Sequence, residues 1–226
     1  MQQTEAPQTR FRDLTISQFL ERLSSAEPVP GGGSAAAVAG SLAAGLVSMV
    51  ASLSRKSQLV QHSHLHDYAE SEGQRLAARL LHLADVDAEA YAAYGAALKL
   101  PRSTEGESEA RSEAKRQAAL GAAQVPLQTV EACVEVMKLA EALAGRCNLN
   151  ASSDLTVASL LAEAAAQGAA ENVRVNIPSI GGDPWVPEAE AKLRGLLKEL
   201  KELGESCRLV VTTGRTREPV GLVNAP

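Results

Sequence analysis

Apolar positions recur at helical spacing along most of the chain and are separated by short breaks rich in proline, glycine and polar residues. Phe19, Leu20 and Leu23 share one face of a first helix, which Pro28 and Pro30 end. No tandem repeat and no alternation of strands with helices is visible. The pattern predicts helices over 17–26, 34–55, 63–98, 109–123, 126–143, 153–173 and 188–207. The predicted fold class is therefore all-α, a bundle of several long helices.

The breaks define one domain with two tails. We expect a flexible tail over 1–14, a single helical domain over 15–212 and an irregular tail over 213–226, although 208–213 has the composition of a short strand. Gly73 is expected to interrupt the third helix. Four further positions are expected at helix boundaries: Ser34 and either Ser153 or Asp154 as N-caps, Pro126 in a first turn, and Pro178 in a break.

The segment 35–53 carries no charge and is long enough to span a bilayer. Alanine, glycine and serine dominate it, which makes it too weakly hydrophobic for insertion and favours a central, fully buried helix. Ser34, Ser41, Ser48 and Arg55 recur at seven-residue intervals and so lie along nearly one stripe of that helix. A neighbouring stripe of small residues would allow another helix to approach closely: Gly33, Ala37, Gly40 and Ala44.

Composition narrows the function classes. The 226 residues are 45% apolar but only 3% aromatic, which suits closely packed alanine-rich helices in one large domain. A net charge of −5 without a basic run argues against a nucleic-acid partner. The cysteines form no C-x-x-C pair, and the N-terminus lacks the apolar core of a signal peptide. We therefore expect a cytoplasmic protein with reduced thiols and no membrane partner.

The turn over 30–34, Pro-Gly-Gly-Gly-Ser, leads into a helix N-terminus. Glycines let a ligand approach the backbone, and the helix dipole adds partial positive charge, so the turn suits an anion or a developing oxyanion. A tight connection with a helix cap explains the same residues. Asp85 and Asp87 lie two apart on a helix and point in different directions, whereas Asp87, Tyr91 and Tyr94 are spaced to share a face. An acid among small apolar residues can have a raised pKa and transfer protons; the alternative is a solvated helix face.

Two groups of amides and one histidine run are further candidates. Segment 148–154 places Asn148, Asn150, Ser153 and Asp154 before an apolar helix, and Asn172 and Asn176 lie one turn apart. Asparagine offers the donor and the acceptor needed to bind heterocycle edges.

His62, His64 and His66 resemble a metallo-hydrolase motif, but no strand precedes them and no third ligand is evident. A metal-dependent hydrolase and a non-catalytic helical oligomer remain alternatives.

Together the motifs resemble the cyclodeaminase/cyclohydrolase family, which includes the formiminotetrahydrofolate cyclodeaminase domain and bacterial methenyltetrahydrofolate cyclohydrolases. The likeness covers about residues 15–205, with all motifs in order. Its motifs are Phe19-Leu20 with the segment 28–34, the acidic helix 85–91, the segment 148–154 and the closing helix 168–176. Cys147 stands where the family usually has glycine, and Ser52 to Ser57 replace an asparagine and a lysine-rich segment.

The resemblance implies an all-helical homodimer that performs C–N bond chemistry on a one-carbon tetrahydrofolate, with or without a polyglutamate tail. It implies no metal or other cofactor. Asp87 is the expected proton shuttle, with Asp85 and Asp154 as contributors. The expected substrate-binding residues are Pro30, Gly31, Gly32, Gly33, Ser34, Tyr91, Asn148, Asn150, Ser153, Asn172 and Asn176, with Arg55 and Lys56 for the glutamate tail. This interpretation requires the glycine turn, the Asp87 helix and the 148–154 segment to meet in one pocket.

Overall fold

This computed structural model describes residues 10–56 and 59–219. Within these residues the chain forms six α-helices and three short 3-10 turns, and no strand. The all-α expectation is confirmed. The helices are α1 (Ile16–Leu23), α2 (Gly32–Arg55), α3 (Ser63–Leu98), α4 (Glu105–Leu143), α5 (Ser152–Ile180) and α6 (Trp185–Thr213). The 3-10 turns are Phe11–Asp13, Val60–His62 and Leu149–Ala151.

Helix α2 is the central element, as the sequence predicts, but it is not fully buried as expected, since Leu42 is 56% exposed. It packs against α3, α4 and α5, and Ala37, Val47 and Val50 on its inner side are fully buried. Its mean hydropathy of 1.9 is high enough for a membrane span by composition, and it is the one such helix in the described part of the chain. The same composition is required of a helix buried in a bundle.

The serine stripe of α2 joins this helix to α3. Each hydroxyl oxygen lies within hydrogen-bonding distance of a backbone carbonyl of α3, and these carbonyls step back along α3 by seven residues as the serines step forward along α2. The two helices are therefore antiparallel and in register over most of the length of α2. The bonds are Ser34 to Ala84 at 3.0 Å, Ser41 to Ala77 at 3.0 Å and Ser48 to Glu70 at 3.1 Å.

Missing side chains at two glycines allow this close packing. A Cβ added at Gly73 would lie 3.0 Å from the backbone nitrogen of Ser48 and 3.1 Å from the carbonyl oxygen of Ala44. A Cβ added at Gly40 would lie 2.9 Å from Sγ of Cys133 on α4. Gly40, in the small-residue stripe of α2, therefore lies in close contact with α4. Gly73 of α3 lies in close contact with α2.

Several predicted helix boundaries are wrong, because tertiary packing keeps the chain helical at glycine and proline residues that locally disfavour a helix. Helix α3 is continuous through Gly73, α4 is one helix with Pro126 inside it, and α5 passes Pro178 before it ends at Gly181, whose φ is +73°. Residues 208–213 belong to α6 and form no strand.

The expected N-caps are also wrong. Gly31 precedes α2, so Ser34 lies in the first turn and its hydroxyl reaches α3 instead of capping. Ala151 precedes α5, which leaves Ser153 and Asp154 within its first turn.

The described parts of the tails pack on the bundle. The backbone N–H of Phe11 donates to Oδ1 of Asp85 at 2.6 Å, and Arg12 forms an ion pair with the same carboxylate. At the other end, the N–H of Arg217 donates to the carbonyl of Gly145 at 2.9 Å. The remaining tail residues, 1–9 and 220–226, lie outside the described residues.

Candidate active site

The glycine turn and the Asp87 segment of α3 meet at one pocket, with the second half of α5 as its other wall. The pocket has a volume of about 440 Å³, within the range of small-molecule sites. Among its described lining residues, Asp87 is the one acidic or basic residue. The lining residues are Pro28, Val29, Gly31, Gly32, Gly33, Asp87, Tyr91, Tyr94, Ala122, Asn172, Val175, Asn176 and Ser179.

The carboxylate of Asp87 lies on the N-terminal turn of α2. Its Oδ2 accepts a hydrogen bond from the Ser34 hydroxyl at 3.0 Å. A Cβ added at Gly33 would lie 2.7 Å from Cγ of Asp87, so only glycine admits the carboxylate this closely. The glycine turn thus holds an anion from the protein itself. Ser34 and Pro30 are buried beneath this arrangement and do not line the pocket.

Asp87 experiences opposing influences on its pKa. Burial raises the pKa above that of an ordinary aspartate because it disfavours the charged form, and this effect is the largest. The hydroxyl and N–H groups of Ser34 lower the pKa, since they stabilise the carboxylate. The net direction is upward. Such a carboxyl is suited to accept a proton in one step and return it in the next.

Asn172 and Asn176 form the amide wall of the pocket. Nδ2 of Asn172 donates to the Gly168 carbonyl at 2.9 Å, and Nδ2 of Asn176 donates to the carbonyls of Asn172 and Ala122 at 2.8 and 3.2 Å. These bonds fix both side chains on α5. Their Oδ1 atoms remain hydrogen-bond acceptors by chemistry, which suits the donor edge of a heterocycle.

The pocket also contains residues that the sequence prediction missed. Tyr91 was predicted and is half exposed, whereas Tyr94, one turn further along α3, was not included. Its hydroxyl is 3.5 Å from Oγ of Ser179. The spacing places Tyr94 on the same helix face as Asp87 and Tyr91, although the expected binding residues did not include it. The spacing argument does not identify the remaining residues of the pocket wall, which are Pro28, Val29, Ala122 and Val175.

Asp85 lies away from this pocket. Two residues before Asp87, it faces the N-terminal segment, where its carboxylate binds the Phe11 N–H and Arg12. A structural anchor is therefore the role that its contacts support. Arg55 pairs with Asp67 and Glu70, and neither Arg55 nor the exposed Lys56 lines the Asp87 pocket.

The 148–154 segment belongs to another cavity of the same chain. Asn148 and Asn150 line a space of about 820 Å³ with His62 and Arg217, at the opposite end of α2. The Asn148 N–H donates to Oγ of Ser54 at 2.9 Å, near the end of that helix. Ser153 and Asp154 line neither cavity. The expected meeting of all three segments in one pocket is not found within one chain.

The histidine run does not form a ligand set. His66 is buried, with Nε2 2.8 Å from the Arg146 carbonyl oxygen, and its ring centroid is 6.1 Å from that of His62. Burial lowers the pKa of His62, and His66 and Arg146 add to this effect. Within residues 10–56 and 59–219, no group of three or more His, Cys, Asp or Glu side chains is placed to bind a metal ion.

Comparison with known proteins identifies the family. The model of the formiminotransferase-cyclodeaminase family matches residues 15–195. This chain belongs to that family. It is 40% identical over 194 residues to the methenyltetrahydrofolate cyclohydrolase of Methylorubrum extorquens, with 84% of this chain and 92% of that protein covered. The resemblance inferred from the sequence motifs is therefore confirmed.

Other similar proteins in this family are named as cyclodeaminases. The chain is 31% identical over 202 residues to the formimidoyltransferase-cyclodeaminase of Rattus norvegicus, and the match covers 86% of this chain but only 36% of the rat protein. The crystal structure of formiminotetrahydrofolate cyclodeaminase from Thermotoga maritima matches with a TM-score of 0.74 and 26% identity. That match covers 90% of this chain and 96% of the Thermotoga chain, so the whole helical bundle is shared.

Proposed function

We propose that this protein is a 5,10-methenyltetrahydrofolate cyclohydrolase. The observation that carries the proposal is the carboxylate of Asp87, the one acidic or basic residue among the described lining residues of a pocket beside the glycine turn. The methenyl carbon of the substrate is cationic, and a partly buried carboxylate attracts such a centre. The 40% identity to a methenyltetrahydrofolate cyclohydrolase, over 92% of its length, supports this reaction.

Asp87 moves one proton in each half of the proposed reaction. As the oxygen of water bonds to the methenyl carbon, the carboxylate takes a proton from that water. The protonated Asp87 then gives this proton to the ring nitrogen as its bond to the same carbon breaks. The remaining hydroxyl loses its proton to solvent and becomes the formyl carbonyl. Each turnover thus consumes one water and releases one proton.

Ser34 adjusts to the protonation state of Asp87. Its oxygen is 3.0 Å from Oδ2 of Asp87 and 3.0 Å from the carbonyl of Ala84, but its hydroxyl has a single proton. When Asp87 is ionised, that proton can be donated to the carboxylate. When Asp87 is protonated, the carboxyl can donate to Ser34, and Ser34 to Ala84. This exchange keeps the buried carboxyl hydrogen-bonded in both states.

The remaining pocket residues bind and orient the folate. The fixed amides of Asn172 and Asn176 offer acceptor oxygens to the donor edge of the pterin. Tyr91 and Tyr94 offer aromatic surface for stacking. The proposal includes a homodimer, a folate substrate with or without a polyglutamate tail, no metal or other cofactor, and a cytoplasmic location.

Formiminotetrahydrofolate cyclodeaminase is the second candidate, supported by the fold shared with the Thermotoga cyclodeaminase. In that reaction N10 attacks the formimino carbon and ammonia leaves. Asp87 would take the N10 proton and protonate the departing amine. The formimino group is also cationic when protonated, so it suits the same carboxylate.

A spectrophotometric assay separates the candidates. Purified protein is mixed with 5,10-methenyltetrahydrofolate, whose absorbance falls on hydrolysis, and in parallel with 5-formiminotetrahydrofolate, whose conversion generates that absorbance. We expect faster loss of the methenyl compound than in buffer. Activity on the formimino substrate alone would reassign the protein as a cyclodeaminase, and no activity on either would overturn the folate proposal.

A further inference from the structure

Helix α4 contains a buried proline, Pro126, at the level where this helix passes the Asp87 pocket. A proline has no backbone N–H, so it cannot donate the helical hydrogen bond to the carbonyl four residues earlier, and its ring crowds that carbonyl. In α4 this carbonyl belongs to Ala122, which lines the pocket. The sequence therefore leaves a backbone acceptor without its helical donor at the wall of the candidate site.

A side chain of another helix supplies the missing donor. Nδ2 of Asn176, on α5, lies 3.2 Å from the carbonyl oxygen of Ala122 and 2.8 Å from that of Asn172. Both neighbours are carbonyls, which only accept, so the atom that faces them is the amide nitrogen. The two N–H groups of Asn176 thus bond to two different helices, and the partly buried carbonyl of α4 is satisfied.

This pair of bonds determines what Asn176 can offer a ligand. An amide held by one bond can rotate about it, whereas an amide whose two N–H groups are both bonded has a fixed plane. Oδ1 is then the polar atom that Asn176 presents, and it only accepts. Asn172 differs, because its Nδ2 makes one bond, to the carbonyl of Gly168 on its own helix. Asn172 therefore keeps an N–H to donate as well as an acceptor.

A second internal proline shows that the sequence feature alone does not create such a link. Pro178 lies inside α5 and leaves the carbonyl of Arg174 without its helical donor. Both residues are exposed, and none of the side-chain hydrogen bonds of the described residues reaches that carbonyl, which is open to water. The contact between Ala122 and Asn176 is therefore a feature of the α4–α5 contact at the pocket.

We infer that Pro126 is a positioning residue of the substrate site: it leaves the Ala122 carbonyl to Asn176 and so holds Oδ1 of Asn176 toward a ligand edge that donates N–H. Pro126 itself does not line the pocket and acts through these two residues. That the ligand is a folate rests on the proposed function, and the amino-substituted pyrimidinone ring of a pterin carries such an edge. The link between the helices does not depend on the ligand.

The first test is the kinetics of Pro126→Ala. Alanine restores the N–H, which bonds along α4 to the Ala122 carbonyl and draws it away from Asn176. We expect KM for the folate that the wild type converts to rise about fivefold, the effect of losing one hydrogen bond. The value of kcat should stay within about twofold, because a contact made equally in the ground and transition states is lost.

Pro178→Ala is the matched control, since it makes the same change in a helix whose freed carbonyl faces water. Both parameters should stay within about twofold of the wild type. An unchanged KM for Pro126→Ala, or an equal rise for Pro178→Ala, overturns the inference. Helical circular dichroism checks the fold, and Pro126→Ser, which restores the same N–H, replaces the alanine variant if that variant does not fold.

The second test is a double-mutant cycle. Asn176→Ala removes the side chain through which Pro126 acts, and it should raise KM on its own. Adding Pro126→Ala to this variant should then raise KM no further, since residues that act through one contact are not additive. A further rise as large as that in the wild-type background would mean that Pro126 acts by another route, and would overturn the inference.

The third test needs no substrate. The side-chain amide of Asn176 gives an NMR signal that is assigned by its loss in Asn176→Ala. Its order parameter should be lower in Pro126→Ala than in the wild type, because one of its two bonds is lost. An identical signal in both proteins overturns the positioning role. If the wild type converts neither folate but the signal changes as expected, the proposed function fails and the link between Pro126 and Asn176 stands.

Discussion

At the scale of single residues, the site depends on the balance of burial and hydrogen bonding around one carboxyl. Burial raises the pKa of Asp87, and the Ser34 hydroxyl and N–H oppose it. Because the folded-state pKa lies above the unfolded value, ionised Asp87 disfavours folding. The stability associated with this carboxyl is fully present below the unfolded pKa and is lost as the pH rises through the folded pKa. An ionisable group that disfavours folding when charged supports the proposed role of Asp87 in catalysis.

Asp87→Asn should remove proton transfer and preserve the fold. Asparagine keeps the size of the side chain and an acceptor for Ser34 but cannot accept and return a proton. We expect turnover of the preferred folate to fall by at least about a hundredfold. At pH 7 the melting temperature should equal or exceed that of the wild type, and this difference should shrink as the pH is lowered. Unchanged turnover would remove Asp87 from the mechanism.

Ser34→Ala should shift the pH dependence of the reaction. Loss of the hydroxyl removes an interaction that lowers the pKa of Asp87, so that pKa rises. The acidic limb of the profile of kcat/KM should move to higher pH, since ionised Asp87 is the base. Ser41→Ala removes an equivalent bond from α2 to α3 one heptad away and is the control. Equal profiles for the two variants would contradict this coupling.

Gly33→Ala should displace the carboxylate from the turn. The added Cβ would lie 2.7 Å from Cγ of Asp87, so the side chain must move. We expect a loss of kcat of at least about tenfold, since small misplacements of a catalytic group are costly. Gly195→Ala, where an added Cβ meets nothing within 4 Å, should leave kcat unchanged. A fully active Gly33→Ala variant would show that the contact is dispensable.

At the scale of helices, the distance between α2 and α3 is set by small residues and by serine hydroxyls. The three serine bonds keep the helices in register, and this register places Asp87 opposite Gly33 and Ser34. The stripe was read from the sequence as helix packing, and the structure adds that each hydroxyl bonds to a carbonyl of α3. Gly73 is far from the pocket. A substitution there should therefore lower the stability of the bundle more than it affects the reaction.

Gly73→Ala should destabilise the protein by about 1–3 kcal/mol, the usual cost of overpacking. The new methyl group would press on backbone atoms of Ala44 and Ser48, which cannot move aside as a flexible side chain would. Gly195→Ala should instead gain up to about 1 kcal/mol from helix propensity. Urea unfolding of the two variants measures the difference. A Gly73→Ala variant as stable as the wild type would show that α2 and α3 can separate without cost.

At the scale of the whole molecule, the Asp87 pocket and the cavity of Asn148 and Asn150 lie at opposite ends of α2, and His62 lines the second of them. Treatment with a chelator, followed by dialysis, should leave folate turnover within about twofold of the untreated enzyme, because the histidines lack a third ligand in the described part of the chain. Stoichiometric zinc or iron in untagged protein, with activity lost on its removal, would revive the metal-dependent alternative.

The sequence by itself determined the helical class, the central helix, the family and the side of α3 that carries Asp87, because these follow from short-range periodicity and motif order. Tertiary structure alone decided that Asp85 serves the N-terminal segment, that Ser34 bonds across to α3, and that Asn148 lies at the far end of α2. Local spacing specifies which residues share a helix face. Which neighbour that face meets depends on the packing of helices that are distant in the chain.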